Sequence, residues 1–196
     1  MGIILDEDIE KYRKYIKKNL NEKRYFHSIS VSLTAASLAM LYEVDIKKAR
    51  IAGILHDCVK NLSSSDLIKA CKLEKIDINT IEYENPELLH SKYGSFIAKN
   101  KFKIDDEDIL NAISYHTTGR PNMSMLEKII FVSDYIEPNR NDLPGLAHIR
   151  QMAFIDIEKC ITLICENTIN FLKSKNRIID KTTEDTYNFY LELSKE

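Results

Sequence analysis

The sequence predicts an all-α fold, a helical bundle, on three observations. Apolar residues recur at intervals of three and four rather than two along most of the chain, the period of a helix that buries one face. Five glycines and four prolines are few interruptions for 196 residues, and no segment reads as a convincing strand. At 44% hydrophobic residues the chain can fill one sizeable core but not two, so residues 1–196 are expected to form a single domain.

The elements follow in order. Asp6 to Leu20 is an amphipathic helix with Ile9, Tyr12, Tyr15, Ile16 and Leu20 inward. Tyr25 to Tyr42 carries the stripe His27, Val31, Ala35 and Leu38, so the imidazole projects from an inward face. Asp45 is an N-cap for a helix expected to run through His56-Asp57 to about Asn61, and Ser63-Ser64-Ser65 opens another to about Leu73. Lys72 to Asn85 reads as an irregular loop. Pro86 suits a first helical turn, with His90, Gly94 and Ile97 on one face to about Asn100, and Gly94 is expected to admit a close approach. Asp105-Asp106-Glu107 opens a helix with Ile109, Ala112, Ile113 and His116 inward, followed by the turn Thr117-Thr118-Gly119-Arg120-Pro121. Met123 to Glu137 places Asp134 on the stripe of Leu126, Ile130 and Phe131, and Pro138-Asn139-Arg140-Asn141 breaks it, leaving Arg140 on a loop. Leu143 to about Ser174, which carries His148, reads as one long or broken helix, and Thr182-Thr183-Glu184-Asp185 as a capping-box-like start for the last.

Composition excludes several classes of function. With 28 Lys and Arg against 30 Asp and Glu, a net charge of −2 offers no general footprint for DNA or RNA. No apolar run approaches the roughly 20 residues of a membrane span, and Met1 to Ile9 is acidic rather than a basic leader, so a cytoplasmic protein is expected. A homodimer is compatible with the sequence. Cys58, Cys71, Cys160 and Cys165 show no C-x-x-C spacing and are expected to be reduced thiols without a role.

Chemistry concentrates at Gly53-Ile54-Leu55-His56-Asp57-Cys58-Val59-Lys60, where an imidazole and a carboxylate stand side by side in an apolar segment. Burying both is costly unless each finds a hydrogen-bond or metal partner. Lys60, four residues after His56, suggests an anionic substrate. His27, His56, Asp57, His90, His116 and Asp134 all lie on apolar stripes or at their ends, using four of the five histidines. One polynuclear site accounts for them together, because several helices can aim ligands into one bundle core. Imidazole and carboxylate without thiolate suit iron, manganese or zinc. Six ligands are too many for one metal that also binds substrate, whereas two metals bridged by Asp57 leave positions open.

These residues carry a resemblance. A histidine, then His-Asp, then a later Asp is the pattern of the HD-domain metal-dependent phosphohydrolases, and His90 and His116 are similar to its two-metal branch. Arg24-Tyr25-Phe26-His27-Ser28, Leu55-His56-Asp57 with Lys60, Pro86-Glu87-Leu88-Leu89-His90, His116-Thr117-Thr118-Gly119, and Ser133-Asp134 with Glu137-Pro138 and Arg140 resemble the bacterial YqeK-like symmetrical diadenosine tetraphosphate hydrolases. The match runs from about Leu20 to Tyr190, with Cys58 and Ser133 where a bulkier residue and an alanine are expected. The resemblance implies an HD-domain helical bundle with a two-metal site in its core, using iron, that cleaves diadenosine tetraphosphate to two ADP through a metal-bridging hydroxide. It implies His27, His56, Asp57 and Asp134 on one metal and Asp57, His90 and His116 on the other, with Asp57, Lys60 and Arg140 catalytic. Lys60 and Arg140 would meet phosphate, joined by Arg24 and by Thr117, Thr118 and Gly119. Two further readings remain open: a di-iron oxygenase of the same superfamily, and a non-catalytic nucleotide-sensing module.

Overall fold

The computed structural model describes residues 7–140 and 143–194; Asp6 and Asn141, used above as a helix start and a helix break, lie outside them. The described residues form eleven α-helices and one 3-10 turn, with no strand. α1 (Glu7–Asn19) buries Ile9, Tyr12 and Ile16, while Tyr15 is only half-buried. α2 (Glu22–Leu41) starts where the Asn21 side chain accepts from the Arg24 N–H, and its buried face includes His27, Val31, Ala35 and Leu38. α3 (Ile46–Leu55) is capped by Asp45. The crossing of α2 and α3 depends on Gly53, because a Cβ there would stand 2.8 Å from Ser32 Cα. Gly94 is different from expectation: a Cβ added to it would meet nothing nearer than 3.5 Å.

α3 stops at Leu55 rather than near Asn61. In a continued helix the Gly53 carbonyl would accept from the Asp57 N–H; here it accepts from His56 Nδ1 at 2.7 Å. The chain then coils through shorter bonds, Cys58 N–H to the Leu55 carbonyl, Lys60 to Asp57 and Leu62 to Val59, so His56-Asp57 sits at a helix end.

α4 (Ser64–Leu73) precedes a stretch that is not wholly irregular. α5 (Thr80–Glu84) occupies part of it, held by a capping box between Asn79 and Glu82. The Glu82 carboxylate is buried and pairs with Lys92 at 2.7 Å. A 3-10 turn, Pro86–Leu88, leads into α6 (Leu89–Phe102), and α7 (Glu107–Tyr115) ends one residue before His116.

α8 (Met125–Ile136), opened by the Ser124–Glu127 capping box, is the central rod and packs on α2, α3, α7 and α10. The span expected as one long helix is broken into α9 (Leu146–Met152) and α10 (Ile157–Ser174), with Asp156 capping the second. α11 (Lys181–Leu193) starts on Asp180, which accepts from the Thr182 N–H, so the cap lies two residues before the Thr182 start. The four cysteines are buried and unpaired. No helix of the described residues is long and apolar enough to cross a membrane.

Candidate metal centre

Six side chains from five elements meet where the ends of α3, α7 and α8 face the start of α2 and of α6. His27 Nε2 lies 3.0 Å from Asp134 Oδ1 and 3.2 Å from His56 Nε2. On the other side His90 Nε2 lies 3.1 Å from His116 Nε2 and 3.1 Å from Asp57 Oδ1. Asp57 stands between the groups: Oδ2 is 3.9 Å from His27 Nε2 and 3.7 Å from His56 Nε2, and Oδ1 is 3.6 Å from His116 Nε2. His56 belongs to both mutually close sets, one with His27 and Asp134 and one with Asp57 and His116.

The four rings are oriented from behind. His56 Nδ1 donates to the Gly53 carbonyl and His116 Nδ1 to the Ile113 carbonyl, each at 2.7 Å, and His90 Nδ1 donates to the Glu87 carbonyl. All three partners lie three residues back in the chain, so local backbone coiling holds each ring. His27 Nδ1 instead donates to the buried carboxylate of Glu137 at 3.2 Å. Because a carbonyl only accepts, the proton of His56, His90 and His116 sits on Nδ1 and their Nε2 lone pairs converge.

This convergence tests whether a cation fits. His90 Nε2 against His116 Nε2, and His90 Nε2 against Asp57 Oδ1, are acceptors facing acceptors with the Nδ1 protons committed elsewhere. Protonation is not a general remedy, since burial pushes the His56 imidazole down to about 3 and lowers His90 as well. Burial would also lower His27, but the hydrogen bond to Asp134 and the charge of that carboxylate outweigh it and raise this ring. For Asp57 and Asp134 burial disfavours charge, yet the surrounding imidazoles hold both carboxyls below the usual carboxylate range. Metal bonds of about 2.0–2.2 Å leave neighbouring ligand atoms roughly 3–4 Å apart, and the separations of 3.0 and 3.9 Å fall in that span. The clustered histidines and aspartates therefore suit divalent metal, with hydrogen bonds behind each ring of the kind that orient metal ligands.

Cations rim the centre. Arg24 Nη1 is 2.9 Å from Asp57 Oδ2, Lys60 Nζ is 3.0 Å from His90 Nε2, and Arg140 Nη2 is 3.9 Å from Asp134 Oδ1. Burial lowers the Lys60 ammonium, with Asp57 partly offsetting it. All three line a cavity of about 740 Å3 whose far wall comes from α10 through Asn167 and Phe171, within the ~300–1,000 Å3 usual for small-molecule sites.

Among the other residues singled out from sequence, Thr117 lines this cavity, its Oγ1 3.2 Å from His116 Nε2. Thr118 and Gly119 do not: the Thr118 carbonyl accepts from Thr186, and Gly119, at φ +65, packs under Thr186, which a Cβ would meet at 2.7 Å. His148 is exposed on α9. Arg120 is committed to Glu127. Sequence reasoning assigned no role to the Glu137 support of His27 or to the α10 wall. Glu137 offered one signal, an acid three residues beyond Asp134 at the end of α8.

A family model described as HD domain matches residues 24–139. The chain belongs to the HD domain family. All six converging residues lie within that HD domain match. The HD-domain chain is 44% identical to the symmetrical bis(5'-nucleosyl)-tetraphosphatase of Halalkalibacterium halodurans, over 88% of its own length and 91% of the relative's. It is 40% identical to the protein of the same name from Bacillus subtilis, over 89% and 92%. A crystal structure from Clostridium acetobutylicum, described as a predicted HD superfamily hydrolase involved in NAD metabolism, superposes with a TM-score of 0.90 at 43% identity, covering 94% of this chain and 97% of that one.

Proposed function

We propose that this HD-domain protein is a hydrolase that cuts diadenosine tetraphosphate in the middle, giving two ADP. The observation that carries the reading is the Asp57 carboxylate, aimed with one oxygen at each of two imidazole groups beside a cavity rimmed by Arg24, Lys60 and Arg140. The names of the two bacillary relatives support a symmetrical cut of a bis(5'-nucleosyl) tetraphosphate, and the family resemblance supplies adenosine as the nucleoside. His27, His56, Asp57 and Asp134 would hold one divalent ion and Asp57, His90 and His116 the other; the nitrogen and oxygen donors suit iron, manganese or zinc, and the family resemblance implies iron. When bound, two such ions lower the pKa of a water and polarise a phosphoryl oxygen.

The chain's own residues do the rest. Arg24 and Arg140 flank the carboxylates and are placed to meet the inner phosphates, while Lys60 stands 3.0 Å from His90 Nε2 and 3.9 Å from Asp57 Oδ1. Their charge offsets the negative charge that grows on the attacked phosphoryl group. The α10 wall and the Tyr135 and Phe131 rings shape an apolar recess for one nucleoside away from water. The leaving ADP phosphate is weakly basic, so no side chain is needed as a dedicated acid.

The test is product analysis on protein purified without oxygen and assayed for bound metal. ADP alone from diadenosine tetraphosphate, with one oxygen-18 from labelled water on a terminal phosphate per turnover, is the expected outcome. AMP plus ATP, or ADP without label, overturns the reading.

A further inference from the structure

Across Arg24 and Arg140 from the large cavity lies a second, smaller hollow of about 230 Å3, lined by Lys23, Phe26, His27, Glu137 and Asn139 as well as those two arginines. The two hollows share only Arg24 and Arg140, and these side chains stand at the Asp57 and Asp134 carboxylates. Resting on the reading above, a cut through the middle of a molecule with two identical ends requires a nucleoside diphosphate on each side of the bond that breaks. The large cavity accounts for one side.

The smaller hollow has the chemistry for the other. Its acid is spent, since Glu137 accepts from His27 Nδ1 and from the Asn139 N–H, and the Asn139 amide donates to Ser30. Lys23 has no ion pair among the described residues. Phe26, on the first turns of α2, is 53% exposed at the rim instead of in the core, with its ring edge-on to Tyr25.

We propose that this groove binds the second nucleotide, with Lys23 and Arg24 on its phosphates and the Phe26 ring stacked on its base. The two ends of the substrate are then read unequally. The nucleoside in the enclosed cavity meets shaped walls, whereas stacking on one exposed ring tolerates any base.

The test compares catalytic efficiency on diadenosine tetraphosphate with that on adenosine 5'-tetraphosphate, which lacks the second nucleoside. Native protein should favour the dinucleotide, and Phe26→Ala should cut that ratio by about 5- to 10-fold, the lower end of what base stacking contributes, with the loss in KM. Phe26→Trp should keep the ratio, which a merely structural role for Phe26 would not predict. An unchanged ratio in Phe26→Ala, or native protein that makes ADP from the dinucleotide with no preference over the truncated substrate, overturns the second subsite alone. Native, metal-loaded protein that releases no ADP from the dinucleotide overturns the proposed function, and the subsite with it.

Discussion

Glu127 and Asp134 sit two turns apart on α8, and the contrast between their surroundings separates scaffold from site. Glu127, 1% exposed, receives Arg120 Nε at 2.7 Å and Nη2 at 3.0 Å, and the Ser124 N–H at 2.7 Å. Its charge is met by donors that the chain supplies within a few residues. Asp134 meets His27 at 3.0 Å, His56 at 3.8 Å and Arg140 only at 3.9 Å. Beside it His56 is turned by its Nδ1 partner so that an acceptor nitrogen faces the carboxylate. A buried acid fully answered by local donors closes a structure, whereas one grouped with converging imidazoles suits a cation.

The sharpest way to break the contrast is at the carboxylate that faces both imidazole groups. Asp57→Ala should lose both metals and all turnover, seen by metal analysis and ADP release; a variant that keeps both metals would show that Asp57 does not join the two halves. Lys60→Ala should do less. It leaves the six converging groups in place, so metal content should persist while catalytic efficiency on diadenosine tetraphosphate falls about 10- to 100-fold, the equivalent of roughly 1.5–3 kcal/mol for a hydrogen bond to a charged group. Full efficiency in that variant would remove Lys60 from phosphate binding.

At the other end of α8 the signature should reverse. Arg120→Ala leaves Glu127 buried without its main donor and should cost about 1–3 kcal/mol, reduced because the Arg120 side chain is 36% exposed. Its thermal midpoint should drop by a few degrees with bound metal at the native level, and loss of metal would dissolve the distinction between the two ends.

The smallest effect is a control far from both. Lys48 hydrogen-bonds Asp106 at 2.7 Å and holds its carboxyl below the usual value, with burial opposing and backbone N–H groups assisting. A depressed folded pKa contributes stability above the unfolded value of about 3.9 and loses it as pH falls through the folded pKa. Asp106→Asn, which keeps an N-cap side chain, should therefore shift the urea midpoint slightly at pH 7 and converge with native protein at the acid end. A difference that persisted in acid would mean that the cap, and not the charge, is responsible.

Local features decided much of what could be read from the residues alone. Side-chain direction along one helix follows from its period, so the inward phase of His27, His116 and Asp134 was visible before any packing was known. The caps Asp45 and Ser63 were visible for the same reason, since a capping side chain meets an N–H three residues on. The helix end at Leu55 was not, although its cause is local, because an imidazole competing for the Gly53 carbonyl does not show in hydrophobic period. The break between α9 and α10 was legible only as an alternative, with Asp156 as its unread cap.

Residue types and periods along single helices are properties of the chain, and they determined the all-α class and singled out the six polar groups. Tertiary structure decided which oxygen of Asp57 faces which rings, that Glu137, 110 residues away at the end of α8, supports His27, and that Asn167 and Phe171 wall the cavity. It also decided that Gly53, rather than Gly94, is where backbones nearly touch. The physical reason is one of range. A side chain's chemistry and helical phase are set by a few neighbours, whereas its partner across the core is set by how whole helices cross, which no short stretch of sequence encodes.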